Sequence, residues 1–398
     1  MSNRPYAGVR VLDLTQVLAG PYAGQLLGDL GADVIKVEQP VIGESAHKFP
    51  PYLNGESAYF LGFNRNKKSV TLNLKDPKAL EIFYKLVETA DVVLENYRPS
   101  VPPRLKIDYE TLKAINPGII YCSISGYGHG TTNQNKPAMD TVMQALSGAM
   151  SVIGEEGCPP YTMAFPVADV AAAYASLSGI GAALYEREKT GVGRWIDISL
   201  LDLMVTLQAY IGQTYLVTGK QPAKVGNSHP TNVPVGAFKC ADGDYIQVQC
   251  ITQPLYEKLV AVIERLVPEA KGLSEDPRFA SAAERLAHKK EMMDLLAEIF
   301  AKKPSMDWVN EASNEIAVAH VNDIGQALNE SSLIERHMIV DMEHPVAGKY
   351  KTIGNPLKMG QDEIYNCPPT IGQHNDEILA SLGYSKEDIE ALRESKTI

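Results

Sequence analysis

The sequence is short of basic residues, of cysteine and of the short motifs that mark common cofactor and metal sites. Its 37 lysines and arginines face 48 acidic residues, a net charge of −11. Such a surface cannot replace the counterions of a phosphate backbone, so general nucleic-acid binding is excluded as a function. Local basic clusters can still oppose the global sign and hold a small anion; Arg65-Asn66-Lys67-Lys68 is one, and Arg98, Arg104 and Lys106 form another. The five cysteines (Cys122, Cys158, Cys240, Cys250, Cys367) form no CxxC pair and match no zinc spacing. Their odd number and wide separation suit reduced thiols in the cytosol. No HExxH, GxSxG, GxGxxG or GxxxxGK[ST] occurs, which leaves no support for a metal site, a serine hydrolase elbow or a nucleotide fingerprint. The first ten residues lack the apolar centre of a signal peptide. No apolar run is expected to reach bilayer-spanning length. The expectation is therefore a cytoplasmic protein without nucleic-acid or membrane partners.

What is present is a strand–helix alternation. Residues 9–14 alternate like a strand. Gly20-Pro21 punctuates a helical stretch over 22–30 that Gly31 closes, and residues 32–38 read as a second strand. Strands at 69–74, 91–96, 119–124 and 195–200, with helices at 77–89 and 169–190, extend the pattern to an open α/β sheet. The character changes near Asn227. A strand at 245–249 follows the turn Asp242-Gly243, and helices are expected at 254–267, 285–301 and 305–313. This divides the chain into a large domain over 1–224, a small α+β domain over 225–330, and a return to the large domain over 331–398. A helix over 376–382 precedes Gly383, and Ser385 with Asp388 forms a capping-box start for the last helix.

Two features carry chemistry. The start of the first helix, after Leu18-Ala19-Gly20-Pro21, can receive a phosphate on its free N–H groups; plain helix–sheet packing is the alternative. Asp169 opens the long helix. One role is an N-cap, stabilising the helix by about 1 kcal/mol. The other is a nucleophile, because a carboxylate with a reference pKa of about 3.9 at a helix N-terminus is expected to be ionised and further acidified. His229 and His374 read as structural loop residues.

A set of ordered segments resembles the class III CoA-transferase family, also called the carnitine CoA-transferase or formyl-CoA transferase family. The matching segments run from Gly8-Val9-Arg10-Val11-Leu12-Asp13-Leu14 and Leu18-Ala19-Gly20-Pro21 through Leu30-Gly31-Ala32-Asp33-Val34-Ile35-Lys36-Val37-Glu38, Asn64-Arg65-Asn66-Lys67-Lys68-Ser69 and Glu95-Asn96-Tyr97-Arg98-Pro99. They continue with Ser125-Gly126-Tyr127-Gly128, Gln144-Ala145-Leu146-Ser147-Gly148, Ala168-Asp169-Val170, Gly226-Asn227 with His229-Pro230, and Gly372-Gln373-His374.

The resemblance implies a Rossmann-like large domain with an inserted small domain, and an interlocked homodimer. It implies Asp169 as the acyl carrier, with an acyl–aspartyl anhydride and an aspartyl-CoA thioester as intermediates. CoA contacts carry over to Gln16, Val17, Leu18 and Ala19, with Lys67 and Lys68 as phosphate candidates and Asn96 and Arg104 near the pantetheine and diphosphate. The substrates are an acyl-CoA, by default succinyl-CoA or another short dicarboxyl-CoA, and a free carboxylic acid. No cofactor beyond these is implied. Tyr127, His129, Lys136 and Met139, in a polar stretch that also holds Asn133 and Asn135, are the candidate substrate residues.

The sequence departs from the family pattern at two places. Gln39 replaces a basic residue, and Cys250-Ile251-Thr252-Gln253-Pro254 stands where formyl-CoA transferases carry a glycine run, which argues against formyl-CoA and oxalate. An α-methylacyl-CoA racemase shares the fold, but its basic His and Glu match Met139 and Thr252 here, and neither moves protons. A nicotinamide oxidoreductase lacks its fingerprint. A non-catalytic CoA-binding protein would not need Asp169.

Overall fold

The computed structural model describes residues 4–398. Six parallel strands form the central sheet: β1 (Arg10–Asp13), β2 (Asp33–Glu38), β3 (Lys67–Thr71), β4 (Val92–Glu95), β5 (Ile120–Ser125) and β6 (Trp195–Ser199), in the order β3-β2-β1-β4-β5-β6. The order reverses between β1 and β4, so the loops leaving those two strands border a crevice at the carboxyl edge of the sheet. Helices cover both faces, as is usual for a parallel sheet. Val11, Val34, Val92 and Cys122 face one core with helices α1 (Ala19–Asp29) and Val167–Thr190. Leu12, Ile35, Val93 and Tyr121 face the other, under α2 (Pro77–Glu88) and the C-terminal helices.

Several elements differ from the sequence expectation. α1 begins at Ala19 and takes Gly20 and Pro21 into its first turn, where a proline loses no hydrogen bond. The helix expected at 285–301 is broken at His288 into Ala282–Ala287 and Lys289–Phe300. The hairpin Ile339–His344 with Gly348–Ile353 has no counterpart among the expected strands. The last helix starts on the expected capping box of Ser385 and Asp388. Val167–Thr190 is long and apolar enough, by length and composition alone, to cross a bilayer, which corrects the expectation that no run reaches that length. Small residues give it that hydropathy, and Ala168, Ala172, Ala173 and Ser176 are buried.

The chain divides into two compact units. One runs to Ala149 and includes Thr162–Gln213 and Ser332–Ile398; the other holds Met150–Tyr161 and Thr214–Ser331. The latter has a three-stranded antiparallel sheet of Val235–Lys239, Tyr245–Gln249 and Ala317–His320, packed on helices around Trp308 and Phe300.

A buried ion pair locks the first strand–helix connection. Lys67 Nζ donates to Asp13 Oδ2 at 2.7 Å, to the Pro21 carbonyl at 2.8 Å and to Asn64 Oδ1 at 2.8 Å. Burial would raise the Asp13 carboxyl, but the Lys67 and Lys36 ammoniums overcome it and hold it below the usual range. Burial draws Lys67 down to about 8, so it stays charged at neutral pH. Even Gly24 belongs to this packing: a Cβ there would lie 2.7 Å from Asp13 Oδ2. Removing one partner strands the other charge. Lys67→Ala is expected to lower unfolding stability by about 3–5 kcal/mol, read from the midpoint of a urea transition at constant m-value.

Candidate active site

The loop after β1 is pinned residue by residue. Asp13 Oδ1 accepts the Thr15 N–H at 2.9 Å, and Lys36 Nζ donates to the Thr15 carbonyl at 2.9 Å. Asn96, just past β4, spans the crevice: its Oδ1 accepts the Gln16 N–H at 2.8 Å and its Nδ2 donates to the Gln16 carbonyl at 2.8 Å. Val17 has φ 71°. A β-branched residue in that region is a true outlier, costing of order 1–3 kcal/mol. The Glu44 carboxylate meets its N–H at 2.9 Å.

This loop walls a cavity of about 790 Å³, to which Gln16, Val17, Leu18, Ala19, Asn96 and Asp169 all contribute. An adjoining cavity of about 390 Å³ shares Gln16, Phe49, Tyr97 and Val101 with it, and contains Lys48, Lys75 and Arg104. Gln39 lines that smaller cavity together with these three cations.

Asp169 is the third residue of the long helix Val167–Thr190, whose N-cap is Pro166. The capping role expected of it is performed by Asp140 instead. Asp140, the first residue of the helix Asp140–Leu146, accepts the Ala168 N–H at 2.7 Å and the Asp169 N–H at 3.4 Å through Oδ1. Gln144 Nε2 holds its other oxygen at 2.6 Å, and Gln144 Oε1 accepts the Met163 N–H at 2.8 Å. Among the described residues nothing hydrogen-bonds the Asp169 carboxyl, which lines the larger cavity. The expectation of an acidified aspartate is overturned as well. Burial, then the Asp140 charge, raises the Asp169 carboxyl to about 7. Desolvation and a like charge outweigh the helix dipole. Tyr59, on the same wall, is pushed up to about 12 by burial and then by Asp169.

The other expected residues separate into two groups. Arg104 lines the smaller cavity, and Lys136 and Met139 the larger, with Met139 65% exposed at its edge. Lys67 is not available as a phosphate ligand, because its three donors are spent inside the core. Lys68 lines neither cavity and pairs with Glu377 at 2.9 Å. His129 Nδ1 pairs with Asp197 Oδ1 at 2.8 Å, and the ring meets Trp195 edge-on in a separate pocket. Tyr127 packs on the core rather than lining the site. Sequence reasoning misses Asp140 as an acid, Tyr59, Phe49, Lys48, Lys75 and Glu44. Of these only Asp140, at the start of an apolar helical stretch, carries a signal in the sequence.

A family model described as CoA-transferase family III matches residues 6–375. The chain belongs to that family. This family III member is 34% identical over 397 residues to the succinyl-CoA:glutarate CoA-transferase of Mus musculus, covering 98% of this chain and 89% of the relative. It is 35% identical to the acetyl-CoA:oxalate CoA-transferase of Acetobacter aceti over 367 residues, 92% of each. The crystal structure of a CAIB/BAIF family protein from Brucella suis superposes with TM-score 0.85 at 31% identity, covering 96% of this chain and 100% of that one.

The raised Asp169 pKa carries a stability consequence. A carboxyl bound to its proton more tightly when folded adds stability below the unfolded pKa of about 3.9, and that contribution is lost as pH rises through the folded value of about 7. Asp169→Asn is therefore expected to raise Tm at pH 8 and to leave it nearly unchanged at pH 4, as measured by calorimetry at both pH values.

Proposed function

We propose that this protein transfers CoA from succinyl-CoA, or another short dicarboxyl-CoA, to a free carboxylic acid, with Asp169 as the covalent carrier. One observation carries the reading: the Asp169 carboxyl lines a cavity beside the β1–α1 loop and is left uncommitted because Asp140 caps its helix. An Asp169 oxygen attacks the donor thioester carbon; the C–S bond breaks and CoA thiolate leaves, giving an acyl–aspartyl anhydride. The thiolate attacks the aspartyl carbonyl, the donor acid leaves as carboxylate, and an aspartyl-CoA thioester remains. The acceptor carboxylate reverses these steps: it displaces thiolate, thiolate attacks the acceptor acyl carbon, and acceptor acyl-CoA departs with Asp169 regenerated. Charge is conserved at each step and no further cofactor is required. Shielding from water protects both intermediates.

In this reading Gln16, Val17, Leu18 and Ala19 flank the pantetheine arm, Asn96 fixes the Gln16 backbone, and Arg104 with Lys48 and Lys75 meets the phosphates. Arg98 and Lys136, both in the larger cavity, are the cations for the distal carboxylate of a dicarboxylic acid. The mouse relative's named substrates support that class. Racemisation is disfavoured, because Met139 supplies no base and Asp140 is committed to capping.

The smaller unit is read as an insertion in the larger, and two copies as interlocked. The helix Ala209–Thr218 supports a second copy: it has no buried residue, and Tyr210, Leu216 and Val217 are exposed. A cytosolic location is in keeping with five unpaired cysteines.

Intact-protein mass spectrometry after addition of succinyl-CoA is expected to show a covalent adduct on the wild type and none on Asp169→Asn. Steady-state transfer to glutarate, with oxalate as the comparison acceptor, is expected to fall at least about 10³-fold in that variant; a folded variant at the wild-type rate would refute the mechanism. The nucleophile must be ionised, so kcat/KM is expected to rise with pH through about 7. Asp140→Asn keeps the capping oxygen and removes the like charge. It is expected to move that rise to lower pH, measured by a pH–rate profile.

A further inference from the structure

Two buried charges of opposite sign bracket the β1–α1 loop, and the proposed transfer chemistry leaves one of them without a role. Lys36, wholly buried, donates to the Thr15 carbonyl at 2.9 Å. Glu44, 4% exposed, accepts the Val17 N–H at 2.9 Å and the Ala46 N–H at 3.0 Å through Oε2. Its Oε1 is buried, makes no hydrogen bond, and faces Lys36 Nζ at 3.5 Å. A buried ion pair is a poor way to gain stability alone. A charged acceptor, however, forms a stronger hydrogen bond than a neutral one, and here that bond falls on the one strained residue of the loop. Asn96 fixes Gln16 and leaves Val17 free to relax. Beyond Val17 the chain enters α1 through Leu18 and Ala19, both on the cavity that Asp169 lines, and α1 has no side-chain cap. Its first N–H groups thus present a positive end where charge develops on the acyl oxygens.

We propose that Glu44 is a positioning residue for the transfer: it holds Val17 in the left-handed conformation that aims the start of α1 at the reacting carbonyl. The proposal rests on Asp169 being the acyl carrier. Adduct formation on wild-type Asp169 tests that parent reading separately.

Given a labelled wild type, the variants Glu44→Ala, Glu44→Gln and each of them combined with Val17→Gly decide the matter by steady-state kinetics. Glu44→Ala is expected to lower kcat by about 10- to 100-fold, with donor KM changed less than about threefold. Glu44→Gln keeps one acceptor oxygen and is expected to lose about fivefold. Glycine adopts positive φ without a clamp, so Val17→Gly is expected to recover most of either loss. A general loss of structure would not be reversed by glycine at that site. Wild-type kcat in Glu44→Ala, or losses that Val17→Gly leaves untouched, would overturn the proposal. Should Glu44→Ala not fold, Glu44→Gln with and without Val17→Gly supplies the same comparison. An unlabelled wild type would instead defeat the parent reading.

Discussion

The Asp13–Lys67 pair is the constraint on which the rest of the site depends. Asp13 ends β1, and one of its oxygens holds Thr15 while the other holds Lys67, which in turn reaches the Pro21 carbonyl in the first turn of α1. A single buried carboxylate therefore sets both the exit of the strand and the entry of the helix. Lys36 and Glu44 extend the charge network under the loop between them. Buried polar networks rigidify a site where their members are paired, and the paired part of this one, Asp13 with Thr15 and Lys67, holds both ends of the loop that walls the cavity.

A second division of labour governs the long helix. Two carboxylates compete for its N-terminus, and geometry gives the capping N–H groups to Asp140. Capping would have acidified Asp169 and tied up one of its oxygens. Placed two residues into the helix and partly desolvated beside another charge, Asp169 becomes more basic instead. The same displacement leaves its carboxyl without a partner and lets it titrate near neutrality.

Much of the fold was legible because short β-branched and apolar segments alternate with helical stretches bounded by glycine and proline, and all six strands of the sheet were located from that pattern. The hairpin Ile339–His344 with Gly348–Ile353 alternates too weakly with its charged neighbours to stand out. In the site, Asp169 and the start of the first helix stand out from the residues themselves, the resemblance adds Gln16, Asn96 and Arg104 as candidates, and all of these line the two cavities. Lys67 reads as a phosphate candidate within the resemblance and the basic run, and the structure instead buries it against Asp13, a pairing the sequence does not reveal. His129 was misplaced for a similar reason: its partner, Asp197, lies 68 residues away and is joined to it only by the sheet. The direction of the Asp169 shift was out of reach, because it depends first on the burial of Asp169 and then on the nearby Asp140 charge, neither of which sequence spacing places.

A carboxyl pKa near 7 also bears on how an anhydride between Asp169 and a substrate acid would divide. Thiolate can attack either carbonyl. Attack on the substrate carbonyl expels the aspartate, the carboxylate of about 7. Attack on the aspartyl carbonyl expels the substrate acid, an ordinary carboxylate of about 4. The weaker base leaves faster, as in thiol–disulfide exchange, so the anhydride collapses preferentially towards the aspartyl-CoA thioester. The preference holds from the donor side and, by reversibility, from the acceptor side. In the proposed mechanism a raised pKa would thus shorten the life of the more hydrolysable intermediate and favour the thioester while one acid is exchanged for another. A more acidic nucleophile, nearer the pKa of its substrates, would lose that bias and leave the anhydride exposed to water for longer in each turnover.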